Sequence, residues 1–145
     1  MPTLEDAIQL AVKAHAGQVD KAGHAYILHP LRVMFAVEGE TARIAAVLHD
    51  LVEDTDYTFD DLREMSYSEA VIETLDCLTR RDDETYMEFV ERAAKHPIAR
   101  WVKLADIEDN MDIRRLQDIT EKDQGRLKRY RKAWAFLKSE INNDI

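Results

Sequence analysis

The chain has 145 residues, 46% of them apolar, with 4 Gly, 3 Pro, 1 Cys and a net charge of −9. That length supports one continuous core, the apolar content excludes a disordered chain, and the scarcity of Gly and Pro favours helices joined by short loops. The acidity excludes duplex DNA or RNA as the default partner, because surfaces that bind many phosphates are basic. In chain order, Thr3 with Asp6 and the apolar set Leu4, Ala7, Ile8, Ala11 and Val12 predicts a first helix ending near His15, with Gly17 as its terminator. Gln18 to His29 reads as a loop turning at Asp20 and Gly23. Pro30 opens a second helix that runs to about Val37 and ends at Gly39.

Thr41 caps a third predicted helix, Ala42 to Val52, whose Ala, Val, Leu and Ile content marks it as central and buried on most sides. Thr58 and Asp61 begin a short fourth helix, and Ser66 with Glu69 forms a capping box for a fifth through Leu78. A charged loop, Arg80 to Glu84, precedes a sixth helix carrying Tyr86, Phe89, Val90 and Ala93, which stops before Pro97. A seventh covers Ile98 to Met111, with Trp101 read as core. The last, Gln124 to Asn142, is amphipathic, with Leu127, Tyr130, Trp134 and Leu137 on one side. No segment alternates with the period of a strand. The expected fold is all-α, a compact bundle of about seven or eight helices, one domain over residues 1–145.

Cys77 is the only cysteine and lies in an apolar run, so it reads as a buried structural thiol, with no internal disulfide. The N-terminus lacks a signal-peptide pattern and no apolar run is long enough to span a bilayer, which makes the cytoplasm the expected location and a membrane an unexpected partner. Composition does not specify an oligomeric state.

Three segments concentrate chemistry. His49-Asp50-Leu51-Val52-Glu53-Asp54 gives one imidazole and three carboxylates beside a strongly apolar helix. If the helix continues, His49 and Glu53 share a face, as do Asp50 and Asp54. Burying such groups costs several kcal/mol unless something compensates their charge, and a divalent cation would. His29-Pro30 sits at a loop-to-helix junction. In the third segment, Lys103 to Met111, Asp106 and Asn110 share a face bordered by Leu104, Ala105 and Ile107. Each has a bland alternative: His29 as a cap, His49 as a core histidine bonded to Asp50, Glu53 and Asp54 as a surface turn, Asp106 paired with Lys103. Taken together, in the order His, His-Asp, Asp, they point to a metal site. Two imidazoles and two carboxylates (His29, His49, Asp50, Asp106) suit Mn²⁺, Fe²⁺, Zn²⁺ or Co²⁺ and leave positions open for water and substrate. Glu53 and Asp54, one turn beyond, are candidates to orient a water, take its proton or protonate a leaving group.

Ala14-His15-Ala16-Gly17-Gln18 through Tyr26-Ile27-Leu28-His29-Pro30, His49-Asp50-Leu51-Val52-Glu53-Asp54-Thr55 and Val102-Lys103-Leu104-Ala105-Asp106 together resemble the HD-domain hydrolases related to RelA/SpoT, over residues 4 to 115. The resemblance implies an all-helical HD fold holding one divalent ion, usually Mn²⁺, on His29, His49, Asp50 and Asp106. It also implies a catalytic pair at Glu53 and Asp54, and Asn110 beside the nucleotide. The implied activity is removal of pyrophosphate from the 3′ position of ppGpp or pppGpp, a small-molecule nucleotide substrate. The alternatives are hydrolysis of another nucleotide or small phosphate ester, and a non-catalytic, metal-pinned nucleotide sensor. Three positions depart from the family pattern: Asp20 where a basic residue is usual, Ala25 where Pro is usual, and Glu108 where His is common. These changes predict a less positive pocket, with Lys21 restoring part of the charge as a phosphate contact. Tyr26 reads as an anchor of its loop, Arg80 and Arg81 as a solvated face, and His15, His24 and His96 as structural or exposed.

Overall fold

The computed structural model describes residues 1–144. Its helices are α1 (Leu4–Ala14), α2 (Leu28–Phe35), α3 (Glu40–Leu48), α4 (Leu51–Asp54), α5 (Phe59–Glu64), α6 (Glu69–Cys77), α7 (Tyr86–Ala94), α8 (Ala99–Asn110) and α9 (Glu121–Asn143), with a 3₁₀ turn at Ile113–Arg115. No strand occurs among the described residues; a single bridge, Val19 to Ala25, closes the loop after α1. The all-α expectation holds. So do the helix starts at Thr3/Asp6 and Thr58/Asp61, which the structure shows as capping boxes; Thr85/Glu88 and Thr120/Asp123 form two more. Each cap stabilises its helix by about 1 kcal/mol through donors that would otherwise be orphaned.

Apolar side chains gather in two clusters that share α8. The larger joins α1, α2, α3 and α6 around Val33, Ala45, Leu48, Leu51, Leu62 and Leu75, with Val102 and Ala105 from α8. The smaller is a seam of α7, α8 and α9: Val90, Ala94, Leu104, Ile107, Ala133, Leu137 and Ile141. Ala133, Leu137 and Ile141 recur every four residues along α9, and burying a Leu or Ile contributes about 1.5–3 kcal/mol. α8 therefore has two apolar sides. Lys103, Asp106 and Asn110 project in a third direction, between the clusters, into a cleft.

Five sequence expectations need correction. The third helix does not run unbroken through Val52: it ends at Leu48, Asp50 sits at φ −98°, ψ 3°, and α4 begins at Leu51. The cause is local, because the His49 N–H and the His49 Nδ1 both turn to the Ala46 carbonyl, at 3.4 and 2.6 Å, tightening the last turn. Gly39, not Thr41, is the N-cap of α3. Ser68, not Ser66, caps α6; Ser66 lies at φ +71° in the turn before it. Trp101 is 49% exposed and lies outside both clusters, and Cys77 is half-buried. His96 has a defined task, its Nδ1 accepting the N–H groups of Ile98 and Ala99 at the start of α8.

Candidate functional site

The four presumed metal-binding residues, spread over 78 positions of sequence, meet at one place. His29 enters from the first turn of α2, His49 and Asp50 from the break between α3 and α4, and Asp106 from the middle of α8. Donor atoms of His29, His49 and Asp50 lie within 4.8 Å of one another. Asp106 Oδ1 is 2.9 Å from His29 Nε2 and 3.3 Å from His49 Nε2, and Asp50 Oδ2 is 3.1 Å from His49 Nε2. His29, His49 and Asp106 are buried, and Asp50 is half-buried.

Every one of these groups is held from behind. His29 Nδ1 faces Asp109 Oδ2 at 2.6 Å, and Asp109 in turn accepts a two-pronged contact from Arg32, at 2.7 and 3.1 Å, and one from Arg115 at 3.3 Å. Nδ1 of His49 is committed to the Ala46 carbonyl. Both histidines thereby present Nε2 to the common centre, which is how imidazole ligands are usually oriented. Asp106 Oδ2 is paired with Lys103 Nζ at 2.9 Å, and its Oδ1 also accepts from Asn110 Nδ2 at 3.2 Å. The expected Lys103–Asp106 pair is therefore present, inside a site that also contains both histidines. Lys103 is itself buried, its ammonium 4.4 Å from the Phe89 ring centroid.

The charges respond to one another. Burial alone would neutralise His29, but the carboxylates of Asp106 and Asp109 raise its pKa to about 9. Burial is likewise overcome at His49, by Asp50 and Asp106, and at Asp106, where Lys103 and the two imidazoles hold the carboxyl well below its usual range. The carboxylates that draw protons onto these imidazoles would draw a divalent ion in their place, and the mixed N/O donors suit one: His29, His49 and Asp50 have donor atoms close enough to share it, with Asp106 against both imidazoles.

Glu53 and Asp54 lie on α4, one turn beyond Asp50. Burial raises the pKa of both. Glu53 lines the cleft and its Oε1 accepts the Arg80 backbone N–H at 2.5 Å. Asp54 turns to the other side, where the Tyr26 hydroxyl reaches both Asp50 Oδ2 and, at 3.3 Å, Asp54 Oδ2. Tyr26 is thus a hydrogen-bonded strut as well as an anchor. His15, which the sequence left without a partner, is buried against the Tyr26 ring at 5.1 Å between centroids. It bonds Gln18, whose amide donates to the Asp54 carbonyl.

Above this floor lies a cleft of about 460 Å³, a volume typical of small-ligand sites. Its walls include Lys21, Tyr86, Asn110, Arg115, Arg126, Arg129 and Tyr130. Lys21 and Asn110 are therefore both at the cleft, as the sequence suggested. Asp20 lines the cleft beside Lys21, and Asp112 and Asp123 line it too, so carboxylates accompany its cations. Asp20 Oδ1 also accepts the N–H groups of Ala22 and His24, both at 2.9 Å, which shapes the loop that carries Lys21. Ala25 is exposed outside the cleft, and exposed Glu108 meets Trp134 Nε1 at 3.4 Å. Arg126 and Arg129, from the helix beyond the recognisable motifs, add cations to the wall, Arg126 paired with Asp123 at 3.1 Å; Arg129 lies 4.9 Å from the Tyr86 ring centroid. Arg80, read as solvated, is a wall residue too.

No family model matches the chain. Among curated proteins it is 37% identical over 121 residues to a GTP pyrophosphokinase of Streptomyces coelicolor, covering 74% of this chain and 14% of that protein. It is 31% identical over 121 residues to a guanosine-3′,5′-bis(diphosphate) 3′-pyrophosphohydrolase of Aquifex aeolicus, covering 74% of this chain and 17% of that one. It is also 31% identical over 98 residues to the bifunctional (p)ppGpp synthase/hydrolase SpoT of Escherichia coli, covering 64% of this chain and 14% of that protein. The chain therefore spans a small fraction of the length of the curated relatives it matches. A solved structure of a metazoan ortholog of SpoT that hydrolyzes ppGpp superimposes with a TM-score of 0.77 at 23% identity, covering 99% of this chain and 94% of that one, which establishes a shared fold.

Proposed function

The chain belongs with the RelA/SpoT-like HD-domain proteins, and on that premise we propose that residues 1–145 form a single metal-dependent phosphohydrolase domain that removes pyrophosphate from the 3′ position of ppGpp or pppGpp. The observation that carries this reading is the meeting of His29, His49, Asp50 and Asp106 at the floor of one cleft, which Glu53 and the cations Lys21, Arg80, Arg115, Arg126 and Arg129 also line.

His29, His49, Asp50 and Asp106 would hold one divalent ion, with Mn²⁺ favoured by the family likeness and Fe²⁺, Zn²⁺ and Co²⁺ compatible with the donors. When bound, the ion lowers the pKa of water and offsets charge on the phosphoryl oxygens. The chain's own residues do the rest. Lys103 holds Asp106 in place, and Asp109 fixes the ring of His29. Glu53, with Oε1 on the Arg80 amide, takes the proton of the attacking water through Oε2. Asp54 steadies the Tyr26 strut, and the proton that Glu53 takes from the water goes on to the leaving 3′ oxygen. Water oxygen forms the new bond to phosphorus, the bond from phosphorus to the ribose 3′ oxygen breaks, and pyrophosphate and the 3′-hydroxyl nucleotide depart. Lys21, Arg80, Arg115, Arg126 and Arg129 surround the phosphates, and Asn110 faces the ribose. No helix among the described residues is long and apolar enough to cross a membrane; a cytoplasmic site of action accords with a nucleotide substrate.

The test is incubation of the purified chain with ppGpp and Mn²⁺, with chromatography of GDP and pyrophosphate. The parental chain releases both. Glu53→Ala retains the metal by elemental analysis and loses turnover by ~10²–10⁴-fold, the span of general-base contributions. Parental turnover in metal-loaded Glu53→Ala overturns the role of Glu53. Silence on ppGpp beside turnover of another nucleotide replaces the substrate, and nucleotide binding without any product makes the protein a sensor.

A further inference from the structure

One side chain from outside the loop joining α6 to α7 ties its two ends together. Arg92, on the last turn of α7, donates from Nε to Glu84 Oε2 at 2.7 Å and from Nη2 to Glu84 Oε1 at 2.8 Å. The same guanidinium reaches the carbonyls of Asp76 and Thr79, both at 2.8 Å. Glu84 passes the constraint on. Its Oε1 accepts the Arg81 N–H at 2.9 Å, and its carbonyl accepts from the Arg80 guanidinium at 3.1 and 3.2 Å. Between these anchors the Arg80 backbone N–H is turned outward, onto Glu53 Oε1.

A charged loop on the surface is ordinarily mobile. Here a planar fork engages a carboxylate through two bonds and the loop's entry through two more, which only arginine can do. Among the described residues the Arg80 amide is the one hydrogen-bond donor to the Glu53 carboxylate. Glu53 stands on a helix of one turn, too short to fix so long a side chain. We propose that Arg92 is a positioning residue for Glu53: by clamping residues 76–84 it holds the Arg80 amide against Oε1, and so aims Oε2 into the cleft. Arg92 itself does not line the cleft. The inference rests on the role given to Glu53 above.

Two measurements on the metal-loaded full chain test it. First, hydrogen exchange at the Arg80 amide is slow in the parental protein and accelerates at least ~10-fold in Arg92→Lys, because lysine cannot reproduce the fork. Second, Arg92→Lys lowers kcat by ~10–100-fold, the usual loss for a residue that orients a site group, and this loss disappears when Glu53→Ala is already present. Unchanged Arg80 exchange overturns the clamp. A full Arg92→Lys loss in the Glu53→Ala background overturns its action through Glu53, since a merely structural role weakens both backgrounds alike. The exchange measurement needs no substrate. A parental chain inactive on every nucleotide but with exchange that responds to Arg92→Lys overturns the enzymatic reading and leaves the clamp on Glu53 standing.

Discussion

The floor of the cleft and its wall hold charge at different depths. On the floor, His29, His49, Lys103 and Asp106 are buried and each cation faces a carboxylate within 3.3 Å. On the wall, Lys21 and Arg129 are exposed, while Arg115, paired with Asp109 at 3.3 Å, and Arg126, paired with Asp123 at 3.1 Å, are half-buried; they arrive from a loop, the 3₁₀ turn and α9. A compensated, dehydrated floor is rigid and intolerant of change, since removing one partner strands another charge in low dielectric. A hydrated wall loses little structure when one cation goes, and its contribution appears only when a phosphorylated ligand is present.

The largest expected effect falls on the floor. His49→Ala or Asp50→Ala removes metal retention and lowers turnover by ~10³-fold or more, past the 10–100-fold typical of outer partners. Elemental analysis and turnover measured on one sample would expose a mismatch: full metal content in either variant breaks the convergence on which the floor depends. Next comes Lys103→Met. It leaves Asp106 without its ammonium, and breaking a buried pair from one side costs about 3–5 kcal/mol. Denaturant unfolding should find the metal-free variant destabilised more than the metal-loaded one, because a divalent ion takes over the compensation of Asp106. Equal destabilisation in both forms would mean that Lys103 serves packing against Phe89 alone.

The wall predicts a smaller and different signature. Arg126→Ala or Arg129→Ala raises KM by about tenfold, as expected for loss of a charge-assisted hydrogen bond of about 1.5 kcal/mol, with kcat within about twofold of parental. The KM of each variant should also depend less steeply on salt. A fall in kcat with unchanged KM would assign these arginines to the floor's task instead.

The same contrast governs what the sequence disclosed. Floor residues lie in short motifs with helical spacing and adjoin apolar runs, so His29, His49, Asp50 and Asp106 could be named in advance, and the all-α fold followed from periodicity and caps. Asp109 was also within reach: His29 and Arg32 on α2, Asp106 and Asp109 on α8, share a three-residue step, which brings two facing pairs together. The wall carries no such signal. Arg126 and Arg129 look like any cation on an amphipathic helix until α9 packs on α7 and α8 and turns them inward. Asp20 has a second role that carries no signal either: it lines the cleft and also binds its own backbone, and a carboxylate's charge does not disclose the second. The break after Leu48 was hidden as well, since a histidine side chain competing for a carbonyl leaves no mark on propensity.

The smallest effect concerns the loop that joins the two regions. The bonds from Arg92 hold the Glu84 carboxyl at a pKa of about 2, below its ordinary value of 4.5. A carboxyl whose pKa is depressed on folding stabilises the native state above the unfolded value and loses that contribution as pH falls through the folded one. The clamp's contribution is thus complete at neutral pH and fades between about 4.5 and 2. Glu84→Gln removes the titrating group but keeps the shape, so parental and variant stabilities should differ modestly at pH 7 and converge toward pH 2. The clamp is local, so the stability difference should come with faster Arg80 amide exchange and unchanged metal content. Convergence accompanied by metal loss would instead join this loop to the floor, and the division between a rigid base and an adaptable wall would have to be drawn elsewhere.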